Sequence, residues 1–91
     1  MIRVITIYLF KQQGCSHCAA AAREAAKFRA LRPEVLVVEL DESMREHQID
    51  GFTAKATPAY LFKINQEAAH QHTGVLTASA LSKLSDQLLG A

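Results

Sequence analysis

Gly14-Cys15-Ser16-His17-Cys18 contains both cysteines of this 91-residue chain, and its surroundings decide how the rest is read. Before it, Val4-Ile5-Thr6-Ile7-Tyr8-Leu9-Phe10 is β-branched and aromatic with almost no polar alternation, the pattern of a strand covered on both faces. After it, Ser16 to Leu31 puts Cys18, Ala21, Ala22, Ala25, Phe28 and Leu31 near one side and Arg23, Glu24, Lys27 and Arg29 mostly elsewhere. That spacing predicts an amphipathic helix, stopped by Pro33. Two sulfurs at i and i+3 in a first helical turn share a face and can join with little backbone movement. Cys15 stands at the helix start, where free N–H groups and the helix dipole favour negative charge. An ordinary thiol, with a pKa of about 8.5, is only about 3% thiolate at neutral pH, so a lowered pKa here makes Cys15 an appreciable nucleophile. His17 either tunes that sulfur, by charge or by a donated hydrogen bond, or faces solvent with little effect. Lys11 is read as a solvated loop lysine, the alternative being a cation that favours the Cys15 thiolate.

Ninety-one residues, 49% apolar and 21% charged, fit one soluble domain spanning residues 1–91 with a core of modest size. The net charge of +1 comes from scattered basic residues, which argues against nucleic acid or an anionic membrane as partner. The longest apolar runs have strand length, too short for a bilayer, and Met1-Ile2-Arg3 with the following run lacks a convincing cleavage site. The chain is therefore expected to start at its own Met1 in the cytoplasm. In that reducing compartment two closely spaced cysteines imply catalysis or metal binding rather than a permanent staple.

The remaining chain continues the alternation. Val35 to Leu40 reads as a second strand, so that strand, helix and strand make a βαβ unit with parallel strands. Ser43-Met44-Arg45-Glu46 has capping-box spacing and opens a short helix running out near Asp50-Gly51. Ala59 to Ile64 is a third strand, entered through Ala56-Thr57-Pro58. The polar turn Asn65-Gln66-Glu67 leads to a weaker antiparallel strand, Ala68 to Thr73. After Gly74, Thr77 caps a last helix whose Leu81, Leu84 and Leu88 share a face. His70 and His72 alternate along one strand, but no third ligand stands near them to complete a metal site.

This order, with Cys-x-x-Cys opening the first helix, Thr57-Pro58 entering the third strand and Gly74-Val75-Leu76-Thr77 leading to the last helix, resembles the thioredoxin-fold family over essentially the whole chain. The likeness is to the compact form without the extra N-terminal strand and helix. It implies an α/β thioredoxin-like fold: a four-stranded mixed sheet in the order β-α-β-α-β-β-α with helices on both faces. It also implies that Thr57-Pro58 is cis and that Pro58 faces the cysteine pair. X-Pro alone adopts cis cheaply, and proline brings no N–H to compete for the sulfur or the substrate. Thr57 would offer backbone groups to an extended substrate peptide, with Gly14 and Ser16 beside the redox pair and Gly74 keeping the surface open. Within the family, thioredoxins carry Trp where this chain has Gly14, and a buried acid where it has Leu9. Glutaredoxins carry Pro-Tyr between the cysteines and a Gly-Gly-Asp-like glutathione site, neither of which is present. A histidine before the second cysteine is similar to that of protein disulfide isomerases and bacterial disulfide-forming oxidases.

The activity implied is thiol-disulfide exchange, with Cys15 as nucleophile and Cys18 as resolving thiol, on protein or small-molecule disulfides. Thioredoxin reductase or glutathione would supply electrons, no cofactor beyond the redox-active disulfide is expected, and the chain is expected to act as a monomer. A second reading is a soft-metal carrier that binds copper or zinc through the same pair, since thiolates suit both ions. A third is a redox-inert interaction module using the same fold.

Overall fold

The computed structural model describes residues 3–41, 52 and 54–90. The elements are β1 (Ile5–Phe10), α1 (Ser16–Leu31), β2 (Leu36–Leu40), β3 (Ala59–Ile64), β4 (Glu67–Thr73) and α2 (Ala78–Gly90). They form one four-stranded sheet in the order β2-β1-β3-β4, mixed as expected. β1 pairs parallel to β2 and antiparallel to β3, which pairs antiparallel to β4. The expected helix from Ser43 to about Asp50-Gly51 lies outside the described residues.

Why β1 is so uniformly apolar follows from its central place. Ile5, Ile7 and Leu9 project to one face, where with Tyr60 and Phe62 of β3 they meet Ala21, Ala25 and Phe28 of α1 and Ala78 and Leu81 of α2. Phe10 projects to the other face and joins Leu40, Ala59 and Leu61, with Phe52 and Ala54. The two described helices thus share one face of the sheet, and small side chains at Ala21 and Ala25 let α1 lie close to it.

Leu31 departs from the expected apolar stripe: it is 65% exposed. It is the last helical residue, and Arg32, which follows it, caps the helix by donating its backbone N–H to the Phe28 carbonyl. The buried stripe of α1 therefore ends at Phe28. Arg32 instead turns across to α2, where its guanidinium meets the Ser82 hydroxyl and the Asp86 carboxylate, at 3.1 and 3.0 Å.

α2 begins as its sequence requires. Thr77 Oγ1 accepts from Ala80 N at 3.1 Å, an N-cap. Glu24 of α1 adds a second acceptor, taking the Ala78 N–H at 2.9 Å. Ser85 is fully buried and donates its hydroxyl to the Leu81 carbonyl, which satisfies it within the helix.

β3 and β4 are joined by a two-residue turn at Asn65-Gln66, both at positive φ, the conformation that matches the twist of a hairpin. Asn65 is tied to Val4 in both directions: its side-chain oxygen accepts from Val4 N and its N–H donates to Val4 O. Further along, β4 carries a register shift opposite Phe62 and Lys63. Beyond it His70 lies against Phe62 and His72 against Tyr60, so both half-buried rings pack on aromatic neighbours.

Candidate active site

The end of β1 delivers the chain to the cysteines through a short loop in which Gly14 has φ +78, a region where a side chain would be strained. Cys15 is then the N-cap of α1, with extended backbone angles. Its Sγ accepts from Cys18 N at 3.0 Å, and its carbonyl accepts from Cys18 N and Ala19 N at 3.1 and 3.3 Å. The sulfur thus takes the place that a serine or aspartate oxygen takes in an ordinary cap. No acidic residue occupies the first turn to offset the positive end of the dipole.

Cys15 and Cys18 are joined as a disulfide, with Cα atoms 5.1 Å apart. Their environments differ: Cys15 is partly exposed, while Cys18 is only 4% exposed. One sulfur can meet an outside molecule, and the other waits beneath it.

Thr57-Pro58 is cis, as the resemblance implied, and Thr57 stands beside Cys15. The Thr57 carbonyl oxygen stands 3.8 Å from Cys15 Sγ, a distance at which a reduced Cys15 thiol can donate to it. Pro58 is buried, and its carbonyl accepts from Gly74 N at 2.9 Å. Gly74 has φ +106, again a glycine conformation. From separate parts of the chain, Cys15, Thr57, Pro58 and Gly74 are therefore brought to one end of the sheet. The loop after Gly74 is held from below by Tyr60, whose buried hydroxyl accepts from Leu76 N at 3.1 Å. Burial pushes the Tyr60 phenol above its ordinary pKa, against the opposing effect of that donated hydrogen bond.

Ser16 and His17 are both exposed in the first turn of α1, and no hydrogen bond joins His17 to Cys15 among the described residues. Lys11 is not a solvated loop lysine. Its ammonium is 2.7 Å from Glu39 Oε1, and the other oxygen of Glu39 receives Arg29 at 2.7 Å. Lys11 also lines a cleft of about 630 Å³ beside the redox pair, together with Gln12, both cysteines, Ala19 and Ala22 among others.

Glu39 was not singled out by motif, yet a carboxylate in the apolar run Val35 to Leu40 is the signal that marks it. Burial alone would raise its pKa, but the hydrogen bonds and charges of Lys11 and Arg29 outweigh burial and hold it below the ordinary value of 4.5. A carboxyl group with a depressed folded pKa contributes stability that is complete above its unfolded pKa and is lost as pH falls through the folded one. Wild type should therefore exceed Glu39→Gln in urea midpoint at pH 7, and the gap should close as pH drops below about 4.5. Urea titrations at pH 7 and pH 3 check this, and a gap that stays constant contradicts it.

Gln12 is the other residue that motif reading passes over. Thr57 Oγ1 donates to Gln12 Oε1 at 3.3 Å, which links the loop before Cys15 to the segment before Pro58. Nothing in the local sequence announces that contact, since the partners are 45 positions apart.

No protein-family model matches the chain, and no curated protein matches it. Solved structures do match in shape. A thioredoxin-2, described as a component of malaria parasite protein secretion machinery, is 16% identical with a TM-score of 0.84, over 96% of this chain and 85% of that one. Chloroplastic thioredoxin z is 18% identical with a TM-score of 0.81, over 97% and 80%. A thioredoxin of Fasciola hepatica is 20% identical with a TM-score of 0.73, over 96% and 80%. The architecture is thus a mixed α/β sheet with a disulfide at a helix start. More particularly, this chain has the thioredoxin fold.

Proposed function

We propose that this chain is a thiol-disulfide oxidoreductase. The observation that carries the reading is the Cys15–Cys18 disulfide at the N-terminus of α1, with the more exposed sulfur beside the Thr57-Pro58 segment. In the reduced protein the Cys15 thiolate attacks one sulfur of a substrate disulfide. A mixed disulfide forms on Cys15, and the departing sulfur leaves as a thiolate and takes up a proton. Cys18, once deprotonated, attacks the Cys15 sulfur and releases the second substrate thiolate. Two electrons and two protons have then passed to the substrate, and the chain holds its own disulfide. Run backwards, the same steps oxidise a dithiol.

The roles of the surrounding groups follow from chemistry. The Cys18 N–H and the helix dipole favour charge on Cys15. The segment at Thr57, Pro58 and Gly74, with Gly14 and Ser16 beside the sulfur, is the surface for an extended polypeptide, which favours protein disulfides as substrates and admits small ones. Electrons would come from a thioredoxin reductase or from glutathione in the cytoplasm, to a monomer that carries no further cofactor. The soft-metal reading would use the same two sulfurs, and zinc or copper titration of the reduced chain separates it from exchange, because tight stoichiometric binding without exchange would favour it.

The direct test mixes the fully reduced chain with a disulfide-bonded protein such as insulin and follows the thiols released. Transfer of one disulfide equivalent per chain, with Cys15 and Cys18 oxidised in step, is the expected result. Absence of transfer, with the pair still reduced, would overturn the proposal.

A further inference from the structure

Resting on that reading, we propose that Gln12 is a positioning residue that sets the preference for polypeptide disulfides over small ones, by locking Thr57 to the loop that carries Cys15. From Ala54 to Pro58 the described chain belongs to no strand, β3 beginning at Ala59, and Lys55 and Ala56 are exposed. Thr57 must nonetheless present its backbone at a fixed distance from the sulfur if a substrate chain is to pair with it while its disulfide reaches Cys15. On the far side the segment is held by the bond from Gly74 N to the Pro58 carbonyl. On the near side the Thr57 hydroxyl donates to Gln12 Oε1. Gln12 lies three residues before Cys15, so it moves with the loop that places the sulfur and carries that placement to Thr57. A residue before proline is confined to extended backbone, so anchoring its side chain fixes the direction of its carbonyl as well. That carbonyl is the group 3.8 Å from Cys15 Sγ.

A small disulfide needs only the sulfur, whereas a polypeptide disulfide needs the sulfur and the Thr57 backbone in register. Loss of the Gln12 acceptor should therefore fall mainly on polypeptide substrates, and mainly on KM. The measurement compares kcat/KM for insulin with kcat/KM for a small aromatic disulfide, using the full chain and a reductant in excess. Gln12→Met, which keeps length and removes the acceptor, should lower the insulin-to-small ratio by about three- to tenfold, the range for one neutral hydrogen bond. Gln12→Glu keeps an acceptor oxygen and should restore the ratio, because any effect of its charge on the sulfur touches both substrates alike. Thr57→Val should reproduce the loss, and the double variant should lose no more than either single one. If Gln12→Met does not fold, Thr57→Val against Thr57→Ser carries the same comparison. An unchanged ratio, or an equal loss on both substrates, overturns the inference while leaving exchange by Cys15 intact. A wild type inactive on both disulfides would instead remove the reading beneath it.

Discussion

Replacing Cys15 by serine should reduce disulfide exchange to the uncatalysed background, the largest effect expected of any single substitution in this chain. The reason is ionisation. A serine hydroxyl is far too weak an acid to supply an appreciable alkoxide at neutral pH, whereas even an unperturbed thiol is about 3% thiolate. Serine at the same N-cap keeps the hydrogen bond to Cys18 N, since serine is a preferred cap, so the fold and α1 should survive. Cys18 cannot take over, because at 4% exposure its sulfur lies beneath the site rather than at its mouth. Cys18→Ser should behave differently: attack on the substrate still occurs, resolution does not, and a mixed disulfide on Cys15 accumulates. Mass spectrometry of the two variants after incubation with insulin separates them. An adduct of one insulin chain is expected on the Cys18 variant and none on the Cys15 variant. An adduct on Cys18 in the Cys15 variant would contradict the assignment of roles.

That difference between two cysteines three residues apart was legible in the sequence because cap position and helical spacing are local properties. Ser16 to Leu31 is helical over the range its periodicity predicts, and Ala59–Ile64 is a strand over the range its composition predicts. Strand ends elsewhere differ by a residue. β1 begins at Ile5 rather than Val4, and β2 at Leu36 rather than Val35, because ladder pairing and not apolarity defines where a strand starts. Thr57, Pro58 and Gly74 could be placed at the site only through the family resemblance, since physics read along one chain does not say which distant proline meets which sulfur. Contacts that depend on tertiary register were invisible for the same reason. Gln12 to Thr57 and Lys11 to Glu39 join loops and strands that only the assembled sheet brings together. Glu39 could have been flagged as a charge inside an apolar strand, but its partners could not. Leu31 was misplaced because helical periodicity assigns a face without knowing where the neighbouring layer ends.

The second large effect concerns stability. Phe28→Ala should cost about 3–5 kcal/mol, the range for removing a fully buried aromatic from a packed core. Phe28 is 0% exposed and belongs to the cluster that joins α1, the sheet and α2, so no single element can shift inward to fill the space it leaves. Small domains have only about 5–15 kcal/mol of stability in all. In a chain of this size each kcal/mol corresponds to about 4–8 °C, so a fall in Tm of at least about 12 °C is expected. Phe28 lies three turns along α1 from the sulfurs and touches neither of them among the described contacts, so the loss should be equal in the disulfide and dithiol forms. Equal losses in the two forms leave the equilibrium between them unchanged, by linkage through the thermodynamic cycle. Phe28→Ala should therefore unfold much earlier yet keep the wild-type reduction potential at temperatures where it is folded. Calorimetry on both redox forms and a glutathione redox titration measure the two halves of this expectation. A potential that moved with the core substitution would mean that packing behind α1, and not the local chemistry of its first turn, sets the energy of the sulfur pair.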